Sequence, residues 1–340
     1  MSKLSLIDKL LYFINTILVA VLLVSYSLSL VPPKTFASPS VLSLGVPFLI
    51  LINVLFFLYW LIKLKKHFIT SLFALVIGYI SFGSLYKFSA SKNIDHSNNI
   101  TVMNYNVRLF NLYHWLPSVG VDKKIAKFIT KQSPDVLSMQ EYTPNKQMDL
   151  PLYKYKYEKL SGKTVKTGQA IFSKFPIINK GSIQFKETNN NAIFIDIARQ
   201  KDTIRVYNIH LESLRVDPNL EHLTEDNSEK LFNNIGLAFK KQQSQTELFL
   251  KHKKQCPYKM IICGDFNNTA FSYVYRKIKG DLNDAFKAAG NGFGRTYDFK
   301  FFPIRIDFIL ADKRFAVNKF KTFDKHYSDH YPIMSALSLN

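Results

Sequence analysis

Three long apolar runs follow one another at the start of the chain, over residues 10–30, 41–62 and 68–88. No Lys, Arg, Asp or Glu interrupts them before Lys87, at the end of the third. Each approaches the roughly 20 residues that an α-helix needs to cross a bilayer core. A helix buried in a soluble core is seldom apolar on every side over such a length. The pattern therefore predicts a membrane anchor of three transmembrane helices over residues 1–88. The runs are separated by a Pro-rich turn (Val31-Pro-Pro-Lys34, then Pro39) and by Lys63-Leu-Lys-Lys-His67. Basic loops face the cytoplasm. Lys3 and Lys9 precede the first run, and Lys63, Lys65 and Lys66 follow the second, so both ends are expected there. Three crossings then leave everything after residue 90 on the outer side. Reading the first run as a cleaved signal peptide also leaves the remainder outside.

Charge divides the chain at the same place. Residues 1–88 carry seven Lys, no Arg and one acid, whereas the other 38 basic and 24 acidic groups lie beyond. The larger part reads as a basic globular domain, whose surplus charge suits a polyanion or an anionic membrane surface. Residues 89–99 form a short polar linker, which keeps that domain near the bilayer. Cys256 and Cys263 are the only cysteines. Along an extended segment they would stand roughly 20 Å apart, too far for a disulfide, and no zinc pattern accompanies them.

Within residues 100–340, β-rich alternation predicts strands at 100–107, 135–140, 153–160, 168–173, 192–198, 203–209, 260–263, 305–310 and 333–338. Residues 122–131 have helical spacing with Asp122 as cap, stopped by Ser133-Pro134. Residues 212–254 hold a polar insertion and then an amphipathic helix with Lys240, Lys241 and Lys251 to Lys254 on its charged face. Short helices are expected at 273–279 and 282–289. Hairpin-linked strands with interspersed helices predict an α+β domain. Its expected architecture is a four-layer β-sandwich of two mixed sheets flanked by helices.

The segment Lys259-Met-Ile-Ile-Cys-Gly-Asp-Phe-Asn-Asn268 reads as a buried strand ending at Gly264. In an extended segment residues i and i+2 point the same way. Asp265 and Asn267 could then address one reacting group, the first as acceptor, the second as donor and acceptor. Asn106, Glu141, His210 and Asp307 also fall at strand ends, and Asp329-His330 precedes the last strand. Carboxylates, amides and imidazoles gathered at one rim equip a site for metal-assisted hydrolysis of a phosphate ester.

These segments resemble the endonuclease/exonuclease/phosphatase superfamily of metal-dependent phosphoesterases. The matching stretches are Met103-Asn-Tyr-Asn-Val-Arg108, Ser138-Met-Gln-Glu141, Gly168-Gln-Ala-Ile-Phe-Ser-Lys174, Asn208-Ile-His-Leu211, Cys263-Gly-Asp-Phe-Asn267, Arg305-Ile-Asp-Phe308 and Ser328-Asp-His-Tyr-Pro332. They occur in family order over about residues 99–340. The resemblance implies Mg²⁺, with Mn²⁺ as a substitute, held by Glu141 with Asp329 as a further carboxylate on the metal side. It implies that Asn106 orients the phosphate, that Asp265 and Asn267 orient water and phosphate, and that Asp307 pairs with the catalytic His330. It matches His210 to the second histidine of the deoxyribonuclease, sphingomyelinase and inositol-phosphatase branches. Water activated by Asp265 and the His330–Asp307 pair would attack in line, while Asn106, Asn267 and His210 stabilise the developing charge.

One position departs from the pattern. Arg108 stands where some members carry an acid, which puts a second metal in doubt and suits a grip on a substrate phosphate. The substrate stays open between nucleic acid, slightly favoured by the basic surface and the Lys240–Lys254 helix, and a phospholipid or inositol-phosphate head group, favoured by the anchor. A catalytically dead, membrane-tethered binding protein is the reading from another class. The lipid bilayer is the expected partner, and no protein partner is expected.

Overall fold

The computed structural model describes residues 4–83, 85–88, 98–145, 149–214, 225–299 and 302–339. Most of the expected linker, residues 89–97, lies outside the described residues. So does the first part of the polar insertion, residues 215–224.

The apolar N-terminal runs fold as helices α1 (Leu6–Leu28), α3 (Val46–Ile62) and α4 (Phe68–Phe82), with the short α2 (Ala37–Ser40) before α3. Ser5 caps α1 by accepting from Asp8 N. Two helical segments, Leu6–Leu28 and Ala37–Ile62, are long and apolar enough to cross a membrane by length and composition. The third differs from expectation. α4 has 15 residues, about 22 Å of helix, against a bilayer core of ~30 Å. Gly83, in a positive-φ conformation, ends it six residues before the apolar run does.

The three helices pack as a bundle with polar ties at one end. Asn15 Nδ2 donates to Ser71 Oγ at 2.7 Å, Trp60 Nε1 donates to Asn15 Oδ1, and Lys63 Nζ meets Asp8 Oδ1 at 2.6 Å. At the other end Leu22, Tyr26, Val46 and Phe82 form an apolar cluster that also includes Phe271 of the globular domain. α1 and α4 therefore run the same way and α3 runs back. The bundle seats on the globular domain through that second end, where Phe82 meets Phe271, Phe48 meets Phe302, and Lys34 pairs with Glu247.

The globular domain contains two six-stranded mixed sheets. The first contains β1 (Ile100–Asn106), β2 (Val136–Tyr142), β3 (Tyr155–Ser161), β4 (Thr167–Ser173), β11 (Phe315–Thr322) and β12 (Ile333–Leu339) in the order β11-β12-β1-β2-β4-β3. The second contains β5 (Ile177–Gln184), β6 (Asn191–Arg199), β7 (Asp202–His210), β8 (Lys259–Asp265), β9 (Asn283–Asp284) and β10 (Asp307–Ala311) in the order β5-β6-β7-β8-β10-β9. Among the described residues, only β1–β2 and β7–β8 pair in parallel. The inward faces meet in a core of Val, Ile and Leu, including Val102, Val136, Ile195, Val206, Ile261 and Ile333. Helix α5 (Val121–Gln132) covers the outer face of the first sheet. Helices α6 (Glu225–Lys254) and α7 (Tyr273–Lys279) cover that of the second, and α8 (Ala285–Ala289) sits against β10 and β11. This is the expected α+β sandwich.

Several local readings need correction. Strands β5 and β11 escaped the alternation. β5 is an edge strand with most side chains part-exposed or exposed, including Asn179, Lys180 and Ser182. Gly120, not Asp122, is the N-cap of α5, and Asp122 lies inside the first turn. The cationic face of α6 is interrupted as well. Lys253 Nζ donates to Ile278 O, Lys241 lies 3.6 Å from Glu212, and part of the helix packs on α2. Both cysteines are free.

Candidate active site

Strand direction assembles the site. The parallel pairs β1–β2 and β7–β8 send their C-terminal ends to one rim, and β10 and the segment before β12, antiparallel to them, begin there. Register then puts His210 beside Asp265 and Asp307 across from Asp265. Period-two alternation faces Asn104 and Asn106 of β1 toward the second sheet. Asn106 Nδ2 crosses the gap, donating to Asp265 Oδ2 at 3.0 Å and to Glu141 Oε1 at 3.1 Å.

Glu141 reaches the rim through a bulge. The β2–β4 register shifts between Met139 and Tyr142, and Glu141 has φ +48°. A bulge inserts an unpaired residue and re-aims its side chain. A positive φ in a non-glycine residue costs about 1–3 kcal/mol, and the surrounding pairs hold it. Burial raises the Glu141 pKa, the Asn106 hydrogen bond and His330 oppose that, and Asp329 adds to it.

Asp265 is the hub. Its Oδ1 accepts from Asn267 N at 2.8 Å, and its Oδ2 lies 3.7 Å from His330 Nε2 and 3.8 Å from His210 Nε2. Burial, aided by Asp307, pushes its pKa up to about 6 against the pull of both imidazoles. Gly264 makes the position possible, because a Cβ there would stand 2.1 Å from Ile209 O. β8 thus continues through Asp265 and does not stop at Gly264. Nor are Asp265 and Asn267 on one face of an extended segment. Asn267 has φ +49°, its backbone N–H serves Asp265, and its side-chain amide donates to Leu211 O at 2.9 Å.

His330 and Asp307 form the expected pair, with Nδ1 and Oδ2 2.9 Å apart. Burial alone would lower the His330 pKa, but Asp307 and Asp265 outweigh it and hold the imidazolium up to about 10. Asn104 Nδ2 donates to Asp307 Oδ1 at 3.3 Å, and Ser328 Oγ accepts from His330 N. His210 differs: burial lowers its pKa, and its Nε2 has no hydrogen-bond partner among the described residues although it lies 3.9 Å from Glu141 Oε1. Arg108 Nη1 meets Asp329 Oδ2 at 3.0 Å, and its guanidinium stacks over Trp115. Asp329 and Arg108 thus face each other beside the cleft, and both act on Glu141 electrostatically.

Beneath this rim lies a buried amide ladder that strand-end reasoning missed. Gln140 Nε2 donates to Asn104 Oδ1 and Asn208 Oδ1, and Asn208 Nδ2 donates to Met139 O. The signal was present. Asn104/Asn106 and Asn208/His210 are polar pairs two apart in otherwise apolar strands, and consecutive polar positions on an inward face mark a network crossing between sheets.

The donor set fits a divalent cation. Asp265, Asp307 and His330 offer ligand atoms within 4.8 Å of one another. Two of these are committed to each other in the 2.9 Å pair. The better oxygen donors for a hard cation are Glu141, whose only ion-pair neighbour among the described residues is His210 at 3.9 Å, and the nearby Asp329. The unpartnered His210 Nε2 and the half-buried Glu141 carboxylate suit such a group.

A family model described as the endonuclease/exonuclease/phosphatase family matches residues 103–330, and one for a domain of unknown function matches residues 8–85. No curated protein matches the chain. Among solved structures, an endonuclease/exonuclease/phosphatase from Bacteroides vulgatus aligns at 18% identity and TM-score 0.54, covering 71% of this chain and 99% of that one. The human nocturnin catalytic domain with bound sulfate aligns at 18% identity and TM-score 0.53, covering 72% and 94%. A mannosyl-6-phosphatase from Bacteroides thetaiotaomicron aligns at 19% identity and TM-score 0.53, covering 71% and 100%. The model match spans more than half of the sequence and includes every strand that ends at the rim, so the chain belongs to the endonuclease/exonuclease/phosphatase family of phosphoester hydrolases.

Proposed function

We propose that the chain is a membrane-anchored, divalent-cation-dependent phosphoesterase, with residues 100–340 as its catalytic domain and residues 1–88 as its anchor. The observation that carries the reading is Asn106, which joins Glu141 of one sheet to Asp265 of the other while two histidines face the same carboxylate. Packing alone gives no reason to bury two acids and two imidazoles at one rim.

Glu141 and Asp329 would hold the cation, Mg²⁺ or Mn²⁺, which when bound supplies charge to a phosphoryl oxygen. Asp265 would orient and deprotonate the attacking water, its own position set by Asn106 and by Asn267 N–H. His330, kept charged by Asp307, would stabilise the pentavalent phosphoryl group or return a proton to the leaving oxygen. His210 Nε2 would donate to a phosphoryl oxygen, Asn106 Nδ2 would donate to another on giving up Glu141 to the cation, and Asn267 would act with them. Arg108 would hold a substrate phosphate after exchange from Asp329.

For the anchor, the support is the bundle itself. α4 runs beside α1 from the Thr70–Tyr12 level to the Phe82–Tyr26 level, so the loops after α1 and after α4 lie at the same end. With Lys63, Lys65 and Lys66 at the opposite, cytoplasmic end, the catalytic domain would face outward.

The test is full-length protein in detergent, Mg²⁺ or Mn²⁺, and bis(p-nitrophenyl) phosphate. Hydrolysis should vanish with EDTA and fall by ~10²–10³-fold in Glu141→Gln, the range of a lost charge-stabilising group. Activity that survives both treatments would remove the reading.

A further inference from the structure

The N-terminal bundle supplies part of the wall of the catalytic pocket. Behind Glu141, Asp329 and His330 lies a pocket of about 280 Å³. Its walls include Leu44 and Phe48 of the bundle, together with Ile235, Phe299 and Ile304 of the globular domain. Phe48 is secured by its ring contact with Phe302 at 4.7 Å. Leu44, Phe48 and Ile304 are only half-buried, so the pocket presents apolar surface that the described residues leave uncovered. Such surface beside half-buried carboxylates contributes to the site only when it meets an apolar group.

On its other side Glu141, with His210, borders a second cleft of about 690 Å³. Thr167, Gln169, Glu187, Asn189, Asn190 and Glu212 are among its lining residues, and the described lining includes no Lys or Arg. A polynucleotide would bring further phosphates into this cleft, where the lining acids would repel them and no Lys or Arg of the described lining would receive them. Hydroxyl groups on a neutral moiety would find amides and carboxylates to bond.

We infer that the substrate is a membrane phospholipid phosphodiester, its acyl-bearing side against Leu44 and Phe48 and its neutral hydroxylated head group in the Asn-rich cleft. The inference rests on the phosphoesterase reading above and names its substrate class. Occupant and route agree. The bundle that carries Leu44 and Phe48 also contains the helices long and apolar enough to cross a bilayer, so a lipid chain reaches the pocket along the same surface.

The test uses full-length protein with Mg²⁺ and monomeric phosphatidylglycerols bearing butanoyl, hexanoyl and octanoyl chains, with glycerophosphoglycerol as the chain-free comparator. kcat/KM should rise with chain length by up to about fourfold per methylene buried, the equivalent of ~0.8 kcal/mol, until the pocket is full. Leu44→Ser and Phe48→Ala, tested separately so that one misfolded variant does not decide the matter, should flatten that rise through KM while hydrolysis remains Mg²⁺-dependent. Equal kcat/KM across the series, or faster hydrolysis of single-stranded RNA or plasmid DNA than of the octanoyl lipid, overturns the substrate assignment and leaves the phosphoesterase reading standing. Failure to cleave bis(p-nitrophenyl) phosphate as well overturns both.

Discussion

Gly264 controls where Asp265 stands. It lies in β8 between Ile209 of β7 and Phe308 of β10. A methyl group added there would be 2.1 Å from Ile209 O and 2.9 Å from Ile209 C. Favourable nonbonded contact needs about 3.5 Å, so the two strands must separate by on the order of 1 Å. The obstacle is backbone, and no rotamer change relieves it. Overpacking of this kind costs about 1–3 kcal/mol. At about 2–4 °C per kcal/mol for a domain of this size, Gly264→Ala should lower Tm by roughly 2–12 °C. Catalysis should suffer more, because Asp265 moves with its neighbour and a ~1 Å misplacement costs about 10²-fold in rate. The assay is kcat on bis(p-nitrophenyl) phosphate with Mg²⁺, alongside thermal unfolding of the same preparation. Gly181→Ala is the control. The atoms nearest its added methyl, in edge strand β5, belong to the Phe194 side chain, at 2.7 Å, so it should cost stability and spare kcat. A Gly264→Ala protein with unchanged kcat and Tm would refute the claim that close β7–β8 approach positions the carboxylate.

Three further outcomes follow from the side-chain environment. Asp307→Asn removes the main support of the His330 charge, so the imidazole pKa should fall from about 10 toward its ordinary value, read by NMR titration, with kcat lower by ~10²–10⁴-fold; an unmoved titration would contradict the pairing. Arg205 grips Asp196 by two hydrogen bonds of 2.6 and 2.7 Å in a buried setting, so Asp196→Asn should destabilise by about 3–5 kcal/mol in urea unfolding, and a loss under ~1 kcal/mol would deny that the pair is desolvated. Burial lowers the Lys287 pKa from 10.5 to about 8, against the pull of Asp284. The unfolded chain then binds more protons between those values, so this contribution to stability is complete above about pH 10.5 and is lost as pH falls to about 8. Lys287→Met should flatten that window and stabilise the protein at pH 7 by up to about 3 kcal/mol; an unchanged pH profile would show the ammonium to be hydrated.

What the sequence determined by itself was local and periodic. Apolar runs of membrane length, alternation in strands such as β1 and β7, and acids, amides and imidazoles at strand ends are properties of neighbouring residues. They sufficed for the α+β class and for naming Asn106, Glu141, His210, Asp265 and His330, which the fold gathers at one rim. Where local pattern weakened, the reading weakened too. β5 has too little buried surface to alternate clearly, and α4 ends at Gly83 although the apolar composition continues. Tertiary structure decided what depends on pairs distant in sequence. The bulge at Glu141 and the left-handed turn at Asn267 exist because sheet register and hydrogen bonds to Asp265 and Leu211 over-determine them. The Gln140 ladder needs two sheets to face each other. The apolar wall of the pocket behind His330 needs the bundle docked on the domain, since Leu44 and Phe48 carry no mark of any part in this rim until the fold brings them there.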